Sequence, residues 1–120
     1  MRLIIAGSRD VPDEETVRKA LRDAGLMPTD ITEVVSGTAR GADRLGEQVA
    51  AKHNIPIKRF PADWDTYGKR AGYLRNADMA EYGDMLVAVW DGVSRGTMHM
   101  IDIMKKKNKR VHVYIYGPMV

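Results

Sequence analysis

The stretch Trp90-Asp91-Gly92-Val93-Ser94-Arg95-Gly96-Thr97 carries the residue types of an anion site. It follows the apolar run Met85 to Trp90 and precedes an amphipathic one, Thr97 to Met104, so it reads as a strand-to-helix turn. Glycines let a backbone approach a ligand closely, and free amides at the positive end of a helix attract phosphate. Ser94 and Thr97 add hydroxyls, and Arg95 adds a forked guanidinium that suits phosphate oxygens. Taken alone, the stretch reads equally well as a connecting loop with a Gly-rich helix start. Two more turns of this kind change the balance: Gly7-Ser8-Arg9, and Ser36-Gly37-Thr38-Ala39-Arg40-Gly41-Ala42-Asp43.

The elements between these turns say where they lie. Arg2 to Ala6, Ile31 to Ser36, Ile55 to Phe60, Met85 to Trp90 and Val111 to Ile115 read as strands, with Pro56 placing the third at an edge. Helices are expected from Pro12 or Asp13 to Ala24, from the second turn to about His53, from Leu74 to Tyr82, and from Thr97 to Lys107. Pro61 to Gly72 is polar and irregular apart from Trp64 and Tyr67, and is expected to be a functional or mobile loop. The order β-α-β-α-β-α-β-α-β with near-continuous apolar strands implies a parallel sheet of about five strands with helices on both faces, an α/β Rossmann-like three-layer sandwich. In such sheets ligands sit at the carboxyl ends of the strands. All three turns fall at that edge, which makes a phosphorylated or nucleotide-like ligand the main expectation.

Composition narrows the classes. A chain of 120 residues, 44% hydrophobic and 29% charged, is one domain with a real core, and no apolar run approaches the ~18 residues of a membrane span. The N-terminal apolar run is too short for a signal peptide, so a cytoplasmic protein is expected. The absence of cysteine excludes thiolate metal sites and Cys nucleophiles, and His53, His99 and His112 have no ligand spacing, so no metal site is expected. A net charge of +3 raises nucleic acid, but the only basic cluster, Lys105 to Arg110, falls at an expected helix C-terminus, where the dipole favours cations. Nucleic acid is therefore not the favoured partner.

The ordered motifs are Gly7-Ser8-Arg9; Ser36-Gly37-x-Ala39-Arg40-Gly41-Ala42-Asp43; Pro61-Ala62-Asp63-Trp64 with Gly68-Lys69-x-Ala71-Gly72; Arg75-Asn76-x-x-Met79; and Trp90-Asp91-Gly92-x-Ser94-x-Gly96-Thr97. Together they resemble the YspA/YpsA-related branch of the SLOG superfamily, over nearly the whole chain. The resemblance implies a Rossmann-like fold that binds nucleotides or nucleotide-derived ligands such as NAD metabolites and ADP-ribose derivatives. Relatives include the LOG phosphoribohydrolases, which cleave a base from a nucleoside monophosphate, and the DNA-processing protein DprA. LOG enzymes carry Gly-Gly-x-Gly-Thr-x-x-Glu with a catalytic Glu; here the position three after Thr97 is Met100, which can neither transfer a proton nor stabilise a cation electrostatically. Arg75-Asn76 keeps the other LOG element and would bring a guanidinium and an amide to the ligand.

Single residues carry weighed roles. Arg9 serves a ligand or pairs with Asp10 or Asp13. Asp43, at a helix start, binds backbone amides or ribose hydroxyls. Trp64 stacks on a base or packs in the core. Asp63 and Asp91 are the candidates for ribose contact or acid/base work, and His99 reads as structural or surface. No cofactor is expected to be required, and a nucleotide is a candidate bound ligand. Three readings follow: a binder that senses or sequesters a nucleotide derivative, a LOG-type N-glycosidase with Asp63 or Asp91 replacing the missing Glu, and a DprA-like nucleic-acid partner. The eight methionines read as core filler, with Met98, Met100 and Met104 on a helix flank; related domains pair into dimers or tetramers, and Tyr114, Tyr116, Met119 and the methionine-rich helix could supply an apolar contact.

Overall fold

The computed structural model describes residues 1–117. Five strands, β1 (Arg2–Gly7), β2 (Glu33–Ser36), β3 (Ile57–Arg59), β4 (Met85–Trp90) and β5 (Arg110–Ile115), form one sheet in the order β3-β2-β1-β4-β5. Every pairing is parallel, with Ile4 opposite Val35 on one side and Leu86 on the other. The helices are α1 (Glu14–Asp23), α2 (Ala42–Lys52), α3 (Trp64–Tyr67), α4 (Ala71–Tyr82) and α5 (Arg95–Lys106).

Alternation along the strands divides the core in two. Leu3, Ile5, Val34, Val87 and Val89 point to the face covered by α1 and α2, where they meet Val17, Ala20, Val49 and Ala50. Ile4, Ala6, Val35, Leu86 and Ala88 point to the other face and meet Met79 and Ala80 of α4 and Met100, Ile101 and Met104 of α5. Strands buried on both faces need apolar residues at every position, which is why they read as continuous runs. The chain winds outward from β1 to β3 with one layer of helices, then returns to β4 beside β1 with the other. The switch in strand order lies between β1 and β4, and both end at the same edge of the sheet.

The sequence reading departs from the structure in three places. Pro61 to Gly72 is largely helical: Asp63 Oδ1 accepts the Thr66 amide at 3.1 Å and starts α3, Gly68 breaks it with φ 56°, and a 3-10 turn (Gly68–Arg70) leads directly into α4. Helix α4 thus begins three residues before Leu74, because its first turn follows this 3-10 turn and has no capping side chain to mark it. Strand β3 is at an edge as expected, but it is only Ile57–Arg59, and Pro56 precedes it with its carbonyl accepting the Val34 amide.

The basic cluster is used within the fold. Lys107 pairs with Glu81 at 2.7 Å, and Lys109 Nζ donates to the carbonyls of Ala80, Glu81 and Gly83, the open end of α4. Of the side chains expected at an apolar contact between copies, Met100 and Met104 are buried in the core, Tyr114 and Tyr116 pack partly against it, and Met98 is exposed. Met119 lies outside the described residues. No helix among those described is long and apolar enough to cross a membrane.

Candidate functional site

The three small-residue turns meet at the switch point around a cleft of about 410 Å3. Ala6 to Asp10 come from the exit of β1, Ala39, Arg40 and Asp43 from the turn into α2, and Ser94 to Thr97 from the start of α5; Arg75, Asn76, Met79 and Met100 form the α4 and α5 side. A second lobe of about 360 Å3 shares Arg9, Ala39, Arg40 and Arg75 with the first and adds Gly37, Thr38, Arg44, Pro61, Ala62 and Trp64. A smaller cavity of about 210 Å3, walled chiefly by aliphatic residues such as Leu21, Leu26, Ile31 and Val49, lies away from the turns and has few groups that could orient a polar ligand.

Ser8 holds the turns together. It is 2% exposed; its amide donates to Val89 O (3.0 Å), its carbonyl accepts the Ala42 amide (3.2 Å), and its Oγ accepts the Asp91 amide (2.9 Å) and lies 3.3 Å from Ser94 Oγ. Expected as a ligand contact, Ser8 lines the cleft while its polar atoms bond to β4, α2 and the β4–α5 turn. Its neighbours leave room for this. A Cβ on Gly7 would fall 1.9 Å from Val89 O, and one on Gly41, which has φ 83°, would fall 2.4 Å from Ser8 O.

The β4–α5 turn is stabilised from within. Asp91 Oδ1 accepts the amides of Val93 and Ser94, both at 2.8 Å, and Oδ2 accepts Ser94 Oγ at 2.7 Å, while Gly92 turns the chain with φ 86°. The Ser94 hydroxyl foremost, with these two amides, holds the Asp91 carboxyl down at about 2 against the opposing effect of burial. Ser94 is the N-cap of α5, but its hydroxyl is turned to Asp91 and makes no cap bond. The first bond of α5 runs from the Met98 amide to Ser94 O, so the amides of Arg95, Gly96 and Thr97 find no acceptor among the described residues. This is an open positive helix end beside the Arg95 guanidinium. The corresponding start of α2 is partly closed by Ser8 O.

Arg75 lines both lobes, and Asp43 lines the first beside it. Arg75 Nη1 donates to Gly37 O and Nε to Asn76 Oδ1 at 3.0 Å, and burial pulls its pKa below the ordinary guanidinium value. Asn76 Nδ2 donates to Gly96 O at 3.2 Å and lies 3.2 Å from His99 Nδ1. Asn76, expected to reach the ligand, lines the cleft and also braces Arg75 against the start of α5, with His99, edge-on to the Tyr73 ring, beside it. Asp43 is 5% exposed, and its Oδ2 accepts the Ala39 amide at 3.1 Å. Burial raises its pKa to about 6, against the Ala39 amide and the positive charge of Arg75. A Cβ on Gly37 would stand 2.7 Å from Asp43 Oδ2 and 2.8 Å from Arg75 Nη1, so only glycine lets the two close over it.

The remaining expected residues divide the same way. Arg9, Arg40 and Arg95 are exposed at the cleft and form no ion pair among the described residues, so the expected alternative for Arg9, a bridge to Asp10 or Asp13, is not formed. Trp64 is 51% exposed at the second lobe and is not a core residue. Ser36 is fully buried and donates to Glu47 Oε2 at 2.6 Å while accepting the Thr38 amide, so it shapes the turn from beneath. Asp63 caps α3 and Asp91 caps its own turn; neither lines the cleft, and this moves both away from the acid/base role expected of them. Arg44 was missed, although its position four residues after Arg40 was a usable signal. Among the described residues there is no cluster of potential metal ligands.

The profile of the YspA, cpYpsA-related SLOG family matches residues 1–67. The chain belongs to this family. It is also similar to the Gene 61 protein of Mycobacterium phage D29, 38% identical over 104 residues, covering 82% of this chain and 83% of that one. No solved structure matches it. In this SLOG protein Met100, at the LOG glutamate position, is 1% exposed and packed with Ile4, Ala6 and Met104 of the core while touching the cleft floor.

Proposed function

We propose that this SLOG protein binds a nucleotide or nucleotide-derived ligand across the two lobes, with phosphate at the start of α5 and the base at Trp64. The observation that carries the reading is the set of donors converging on one cleft: the open α5 amides, three arginines that form no ion pair among the described residues, and Arg75 on the wall shared with the second lobe. A half-exposed indole on the neighbouring lobe offers a stacking face at one side of this anion site. SLOG membership supports a nucleotide-related role. Turnover of the LOG type has weaker support, because the glutamate position holds a buried methionine and the carboxylates of Asp63 and Asp91 serve backbone amides. The DprA-like reading loses support with the basic cluster tied to α4 and Glu81.

The test is native mass spectrometry of the purified protein, followed by denaturation and identification of any released small molecule, with Arg75→Ala alongside. An intact nucleotide derivative lost in the variant is the expected result. Free base and ribose phosphate after incubation with nucleoside monophosphates would make the protein an enzyme instead. A protein that retains and binds no nucleotide would overturn both.

A further inference from the structure

The cleft is rich in hydrogen-bond donors and poor in available acceptors. Arg9, Arg40, Arg75, Arg95 and the α5 amides only donate. Of the side chains that could accept, Ser8 Oγ is engaged with the Asp91 amide, Asn76 Oδ1 with Arg75 Nε, and Ser94 Oγ with the Asp91 carboxylate and Ser8, which leaves the Thr97 hydroxyl as a neutral acceptor. Asp10 is exposed at the margin. Asp43 is different. Its side chain is nearly buried and lines the cleft, Oδ2 holds the Ala39 amide, and no donor among the described residues reaches the other oxygen. Arg75 and Arg9 favour its charge from a distance, Glu47 opposes it, and neither guanidinium closes to an ion pair with it.

A carboxylate placed this way repels an anion unless the ligand brings a donor to it. We propose that Asp43 is the specificity-determining acceptor of the cleft, taking a hydrogen bond from a sugar hydroxyl of the ligand, so that hydroxyl-bearing ribose phosphates are selected over deoxy counterparts and inorganic polyphosphate. This rests on the nucleotide reading above and adds the part of the ligand that reading leaves open. A site built to bind a hydroxyl rejects the analogue lacking it because its own polar atom is left unpaired.

The experiment is calorimetric titration of the full chain at pH 7.5 with ADP, 2′-deoxy-ADP, 3′-deoxy-ADP and inorganic pyrophosphate, for the wild type and Asp43→Asn. ADP is expected to bind roughly ten- to a hundredfold more tightly than at least one deoxy compound, as for a hydrogen bond to a charged group. In Asp43→Asn that gap is expected to shrink to about threefold or less, with binding of the deoxy compound maintained or improved as a negative charge leaves the cleft. Asp43→Ser is the second variant if the first does not fold. Equal binding of all three nucleotides by the wild type would overturn the assignment and leave the nucleotide reading standing, as would an unchanged ribose preference in the variant. Binding of pyrophosphate with no nucleotide, or of nothing, would overturn both.

Discussion

Asp43→Asn in the ligand-free protein should stabilise the fold, by an amount that depends on pH. Burial raises the Asp43 pKa from its ordinary 3.8 to about 6. At about 1.4 kcal/mol per pH unit, holding this group ionised in the folded chain costs about 3 kcal/mol relative to the unfolded chain. Between pH 3.8 and 6 the folded chain keeps a proton that the unfolded chain has lost, so stability falls as pH rises through this window and levels off above it. Asparagine is close in shape to the protonated acid and keeps an oxygen for the Ala39 amide, so the variant should lack this loss. Urea unfolding should then show a gain of about 3 kcal/mol at pH 7.5, and only about 1 kcal/mol at pH 4.5, where the wild-type group is largely protonated when folded. In thermal melts the gain at pH 7.5 is on the order of 10 °C for a chain of this size. A variant no more stable than wild type at pH 7.5, or a difference that does not change with pH, would refute the claim that burial dominates at Asp43. A stabilising substitution in a cleft that weakens ligand discrimination is the usual sign of a group kept for function.

Gly37→Ala should weaken nucleotide binding about tenfold or more and cost about 1–3 kcal/mol in urea unfolding, because its methyl would press on both Asp43 and Arg75. Ser8→Ala should cost about 1–2 kcal/mol, since the part-buried Asp91 amide loses its acceptor; amide exchange at Asp91 and Ser94 should quicken with it, and unchanged exchange would mean the turn holds without Ser8. Lys109→Met removes a cation from three carbonyls at the end of α4, with an expected loss of about 1–2 kcal/mol by thermal unfolding and no change in ligand affinity. Met100→Glu should lower the melting temperature markedly at neutral pH, because its carboxylate would enter a core of aliphatic side chains; a variant as stable as wild type would mean that this position faces the cleft more than the core.

The strands were legible because burial on both faces demands uninterrupted apolar residues, a pattern that survives in one dimension. The meeting of the three turns was legible for the same reason, since strand order and parallel pairing bring their exits to one edge. The commitments of the polar residues were not. A serine or asparagine in a turn looks the same whether its hydrogen bond goes to a ligand or to the backbone, and Ser8 finds the Asp91 amide 83 residues away. Ser36, Asn76 and Asp91 each carry an internal bond of this kind that residue type and spacing did not reveal. Residues 64 to 70 were misread for a different reason: a four-residue helix and a 3-10 turn are too short to show periodicity. Arg9, Arg40 and Arg95 line the cleft and form no ion pair among the described residues.

Ser8 O, by accepting the Ala42 amide, gives the cleft a direction. The two helices that could each draw an anion are made unequal, one end partly occupied by main chain and the other left open. A ligand with a charged end and a neutral end therefore has one favoured way to lie, its charge beside β4 and the rest of it running across β1 toward α2. Reversal would leave the α5 amides facing an uncharged group. The asymmetry is written in backbone atoms, so side-chain substitutions around the rim can change what is bound while leaving its heading the same.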